Sequence, residues 1–152
     1  MEHTETMKQN REALADLVEI NNDRIEGYQK AAGYLEQEDS DLRNLFNDMA
    51  AQSRQFIGEL QFYLDEADQG TTVRGKFYRA WMDVKNTLSS NDRKSALESC
   101  EFGEDAALRA YVSALQEDDL SSDVRSLLEK QMSTIKDSHD RIRSLRDAEK
   151  KS

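Results

Sequence analysis

Glu101 and Glu104 occupy positions that ask for a chemical explanation. The apolar positions around them run Leu97, Leu108, Tyr111 and Leu115, and a 3.5-residue seam drawn from Leu97 to Leu108 lands on both glutamates. A carboxylate aimed into a core is costly unless a proton, a cation or hydrogen-bond donors compensate it. Two chemistries could do so. In one, Glu101 and Glu104 are metal ligands, His139 adds a nitrogen, and Glu98 or Asp137 assists; such a donor set suits Fe, Mn or Zn. In the other, the layer holds no metal, and the seam amides Asn21, Gln52 and Gln131 donate hydrogen bonds to Glu101 and Glu104, fixing helix register at some cost in stability. Without a metal, burial and mutual repulsion leave the pair electrostatically frustrated.

Other reactive side chains add little. His139 sits one residue off its seam, where an imidazole bonded to a neighbouring carboxylate is the common arrangement. His3 lies in a polar terminus. Cys100 has no basic neighbour in sequence and reads as a small packing residue, not an activated thiolate. A single cysteine excludes an intramolecular disulfide and a CxxC metal knuckle. There is no glycine-rich phosphate loop and no strand-turn-helix nucleophile, so no catalytic or cofactor-binding residue is assigned.

The elements that must position these residues are helices. The 152 residues are enough for one domain and one sizeable core, and 34% are charged, with no proline. No run sustains a two-residue alternation, so the class is all-α. Four long helices are expected at about 10–37, 41–68, 91–117 and 123–147. The first seam is Leu14, Val18, Asn21, Ile25, Tyr28, Ala32 and Leu35. The second is Leu42, Leu45, Phe46, Met49, Gln52, Phe56, Leu60 and Tyr63, with Gln55 and Glu59 beside it. The fourth is Val124, Leu127 and Leu128, Gln131, Ile135, Ser138 and His139, Ile142, Leu145. Ser40 and Ser122-Asp123 read as N-caps, and Gly70 as a helix stop. Gly27, Gly58 and Gly103, all inside helices, suggest close helix contacts or room beside the polar layer. In the connection at about 69–90, Phe77, Trp81, Val84 and Leu88 space out a short amphipathic helix near 76–88. Both termini read as frayed.

Thirty-one acidic against 21 basic residues give a formal charge of −10, which repels phosphate backbones and excludes nucleic acid as a natural partner. No segment approaches 18 apolar residues, so no transmembrane segment is expected. The amino-terminal residues lack a signal-peptide pattern, which points to the cytoplasm.

The chain also repeats itself. Ser40-Asp41-Leu42-Arg43 aligns with Ser122-Asp123-Val124-Arg125 at an offset of about 82, and Ile25-Glu26-Gly27-Tyr28 with Leu108-Arg109-Ala110-Tyr111 at nearly the same offset. Two helical hairpins of one design follow, joined by a long connection. A crossover of about 20 residues is expected to let the first and third helices run parallel, in an up-down-down-up bundle. The repeat places Asn21 opposite Glu104, so the polar seam positions should meet at one level of the core.

Several motifs taken together resemble a ferritin-like four-helix-bundle family of bacterial proteins of unassigned function. They are Glu101-Phe102-Gly103-Glu104-Asp105 with Tyr111, Asn22-Asp23…Gly27-Tyr28…Ala31-Ala32, Gly75…Trp81, and His139-Asp140-x-Ile142-Arg143. The resemblance covers nearly the whole chain, residues 1–152 as one domain. Ferritin-like di-iron proteins carry a Glu on each of two helices and a Glu-x-x-His on each of the other two. This chain has no Glu-x-x-His, and its third helix alone clearly keeps acidic ligands. The resemblance therefore implies a degenerate carboxylate-rich core site, serving metal handling or a stress response. The rival reading is a non-catalytic structural or protein-interaction bundle whose buried polar layer only fixes packing. On either reading, a homo-oligomer through bundle faces is an available partner arrangement.

Overall fold

In a computed structural model, residues 2–35, 39–64, 93–118 and 120–151 are described. They form four helices, α1 (Glu2–Tyr34), α2 (Ser40–Phe62), α3 (Arg93–Leu115) and α4 (Ser122–Lys151), with no strand among them. The 28 positions 65–92, which include the expected short helix and Trp81, lie outside the described residues. Two helices outrun their expected bounds. α1 starts at Glu2 and α4 continues to Lys151. No Gly or Pro interrupts residues 2–26 or 122–152, so neither polar end carries a residue that breaks a helix. α2 stops sooner than expected, because Tyr63 and Leu64 turn back with N–H bonds of 3.1 Å to the carbonyls three residues earlier, on Leu60 and Gln61.

Both expected caps move by one residue. Ser40 already lies inside α2; Asp39 precedes it and makes no side-chain cap bond. The Asp39 carboxylate instead meets Arg93, which also holds Asp41 and Glu149, at 3.1, 3.0 and 2.6 Å. That arginine ties the starts of α2 and α3 to the end of α4. At α4 the cap is Ser121, whose Oγ accepts from the Val124 N–H at 3.1 Å.

Cross-helix bonds fix the directions. α1 meets α3 through Arg24 with Glu104 and Asn21 with Tyr111, so residue numbers rise along one as they fall along the other. The expected parallel run of the first and third helices is therefore corrected to an antiparallel one. α2 is antiparallel to α1, and α4 is antiparallel to both α2 and α3. The order is up-down-down-up, and it is α2 and α3 that run parallel. Two like hairpins related by a two-fold axis across the helices give this arrangement, since the axis inverts α1 onto α3.

The seams meet in one core, with Leu17, Leu42, Leu60, Leu97, Leu128, Ile135 and Ile142 fully enclosed and the Tyr28 and Phe46 rings 5.4 Å apart. Gly58 does not serve a close helix contact: it is exposed, and an added methyl there would touch nothing.

Candidate functional site

A polar layer crosses this core, and its centre is Arg24. From α1 the guanidinium reaches Glu104 on α3 in a two-pronged pair, Nε to Oε1 at 2.6 Å and Nη2 to Oε2 at 2.9 Å; both side chains are wholly buried. Its other N–H groups go to the Met49 carbonyl at 3.1 Å, Ser53 Oγ at 2.9 Å and Gln52 Oε1 at 3.2 Å. All five guanidinium donors are thus used. The Tyr28 ring lies 5.3 Å beneath the guanidinium carbon, a cation–π distance.

The layer continues through neutral groups. Ser53 donates to Asn21 Oδ1 at 2.8 Å, and Asn21 donates to the Leu17 carbonyl at 2.8 Å and to the Tyr111 hydroxyl at 3.0 Å. Tyr111 donates in turn to Gln131 Oε1 at 2.6 Å, and Gln131 donates to Glu59 and the Phe56 carbonyl. Ser138 closes the ring from α4 onto Gln52 at 3.3 Å. Every helix contributes.

Burial would push the Arg24 guanidinium down, but the Glu104 charge and hydrogen bonds outweigh it and hold arginine above its ordinary value. The Tyr28 phenol is driven well up by burial and then by the neighbouring Glu104 carboxylate. Burial raises Tyr111 as well, against an opposing hydrogen bond from Asn21. The Cys100 thiol is also pushed well up, by burial and then Glu104, so it stays protonated and inert, as its sequence surroundings suggest.

The three amides expected on the seams, Asn21, Gln52 and Gln131, do meet at this level with Glu104. They do not donate to it; Arg24 does. The frustrated carboxylate pair is not formed either, because Glu101 leaves the core. Three residues along a helix turn a side chain by about 60° from its neighbour's direction, enough to send Glu104 inward and Glu101 to the α3–α4 seam. There Glu101 is ion-paired with Arg146 and lies 3.7 Å from His139 Nε2. His139 is 8% exposed. Its Nε2 stands 2.7 Å from Asp105 and its Nδ1 3.1 Å from Asp140, the boundary imidazole-carboxylate arrangement that its off-seam position suggests. The His139 contact holds the Asp140 carboxyl below its usual range. Of the expected metal set, then, Glu101 and His139 come together and Glu104 stands apart in the core. Glu98 is exposed beside Lys94, 4.0 Å away, and Asp137 is exposed.

Arg24, Ser53, Asp105 and Arg146 carry contacts that the seam pattern does not assign. Arg24 had a signal. The step from Asn21 to Tyr28 passes through 24 or 25, and the apolar Ile25 is the conventional choice.

An all-α bundle with a buried polar layer drawn from four helices is the class that fold and site define. A family model described as a domain of unknown function, DUF2383, matches residues 9–117, and the chain belongs to that family. The match runs from within α1 through α3 and ends before α4. No curated protein matches the chain.

Proposed function

We propose that the chain is a ferritin-like bundle that acts as a non-catalytic structural or interaction protein, its interior charge balanced by an arginine where a ferritin-like relative would carry metal. The ferritin-like assignment is supported by the up-down-down-up order with a long connection between the second and third helices. The observation that carries the functional reading is the Arg24–Glu104 pair. A di-metal centre needs several carboxylates and imidazoles projecting inward from four helices. The described residues of this layer are Asn21, Arg24, Tyr28, Gln52, Ser53, Glu59, Glu104, Tyr111, Gln131 and Ser138; they include no histidine, and Glu104, the fully buried carboxylate among them, is already held by a guanidinium. That set does not fit the centre. Metal handling in the core would require Glu104 to leave Arg24, stranding a buried guanidinium at severe cost.

Binding surfaces remain outside the core. Phe62 is 82% exposed and Phe102 52%, and association of copies through bundle faces belongs to this reading, as does a cytoplasmic location. Among the described residues, no helix is long and apolar enough to cross a membrane. Elemental analysis of untagged protein, paired with aerobic Fe(II) oxidation followed by absorbance, tests the proposal. The wild type should oxidise Fe(II) no faster than buffer, and Glu104→Gln should leave metal content unchanged. Iron oxidation or bound metal that disappears in Glu104→Gln would overturn it.

A further inference from the structure

The flank of the bundle holds a ligand set that the core layer does not use. Glu101 and Asp105 lie one helical turn apart on α3, at i and i+4, and so project from the same face. His139 reaches them from α4, and one donor atom from each of the three lies within 4.8 Å of the others. We propose that Glu101, Asp105 and His139 form a binding site for a single divalent ion of the Zn(II), Fe(II) or Mn(II) class.

Three features support a metal over a plain ion-pair cluster. The first is spacing. Metal–ligand bonds of about 2.0–2.2 Å place neighbouring donors roughly 3–3.5 Å apart around one ion. The Nε2 separations of 2.7 Å to Asp105 and 3.7 Å to Glu101 bracket that value, so small rotamer shifts suffice. The second is the orientation of the ring. Asp140 accepts from Nδ1 at 3.1 Å, which aims Nε2 at the two carboxylates; a carboxylate behind a ligating histidine is the recurrent support in metal sites. Nε2 stands 2.7 Å from the Asp105 carboxylate, and an ion entering between them would bond both atoms in place of that direct contact. The third is access. His139 is nearly enclosed, while the Asp105 side chain is 46% exposed, leaving an entry path and room for water ligands on one side. Two oxygens and one imidazole nitrogen favour a borderline ion over Ca(II) or Mg(II), which prefer oxygen alone.

Arg146 is the built-in competitor, because its guanidinium already occupies one oxygen of Glu101. Its other contact is Asp147, at 3.0 Å, and Lys136 faces Asp140 at 3.6 Å. This site rests on α3 and α4 side chains that the proposed function leaves idle, and its failure would leave the reading of the core untouched.

The test is calorimetric titration of chelator-treated, untagged, full-length protein with ZnCl2, with circular dichroism to confirm that each variant is folded. One ion per chain is expected. Affinity should fall at least tenfold in His139→Gln and in Asp105→Asn, fall about tenfold in Asp140→Asn, and rise in Arg146→Gln. Titration of the wild type with Co(II), which needs no variant, should give visible bands that saturate at one equivalent. The proposal is overturned if neither the wild type nor Arg146→Gln binds Zn(II), or if folded His139→Gln binds as tightly as wild type.

Discussion

Arg24 does what no other side chain in the layer could do. Burying one carboxylate in this core carries a desolvation cost of several kcal/mol, and only a cation with enough donors to satisfy its surroundings can answer it. Arginine presents a rigid fork that matches the two oxygens of Glu104 while three more N–H groups find partners on α2. Lysine, with three donors on one nitrogen, could not keep both the two-pronged pair and the α2 contacts. The opposite case stands in the groove between α1 and α3, where Glu12, Asp16 and Glu117 face Ala110 and Ala114. Asp16 is raised above its ordinary value by partial burial and then by Glu12 and Glu19. The folded chain therefore holds the Asp16 proton more tightly than the unfolded chain does. Its contribution to stability is fully present below the unfolded pKa, near 3.9, and is lost as pH rises through the folded value. Asp16→Asn should melt above wild type at pH 7, with the difference closing as pH is lowered towards 4. A difference that instead grows on acidification would refute the assignment.

At the scale of elements, the helix ends show why a repeat can be legible while its details are not. Arg43 and Arg125 are equivalent positions of the repeat, and they perform the same task. Arg43 donates to the Leu35 carbonyl at 2.5 Å, just past the end of α1, and Arg125 donates to the Leu115 carbonyl at 3.2 Å, at the end of α3. Each ties a hairpin shut by satisfying a carbonyl that the preceding helix leaves unpaired. The caps follow a different rule in each half, because Asp39 is drawn to Arg93 and Ser121 is not. Ser121→Ala should therefore cost about 1 kcal/mol in urea unfolding, the usual worth of an N-cap hydroxyl. Ser122→Ala, next to it and exposed, should change stability by no more than a few tenths of that. If Ser122→Ala proved the costlier of the two, the cap would be misassigned.

Across the whole molecule, the repeat accounts for both what could be read in the sequence and what could not. It pairs Tyr28 with Tyr111 and Asn21 with Glu104. In the bundle Tyr111 bonds Asn21 while Tyr28 lies beside Glu104, two contacts related by one approximate two-fold axis. The polar layer was thus visible as polar residues on apolar seams. Its charge balance was not, since the symmetry breaks where Arg24 stands against Ala107, and the partners are 80 residues apart in sequence. Local pattern cannot report an interaction of that range, and a long cation on a seam passes for a surface residue whose stem lies along the core. Glu101 was misplaced for a simpler reason: a seam of period 3.5 tolerates either neighbour, whereas packing chooses one. The central claim, that Arg24 is the counter-ion of the core, is tested most directly by a double-mutant cycle on Arg24→Met and Glu104→Met, read by urea unfolding. Each single variant should lose about 3–5 kcal/mol by leaving one buried charge unpaired, and the double variant should lose far less than the sum, since an apolar pair can replace a buried ion pair at little cost. Losses that simply add in the double variant would contradict the account.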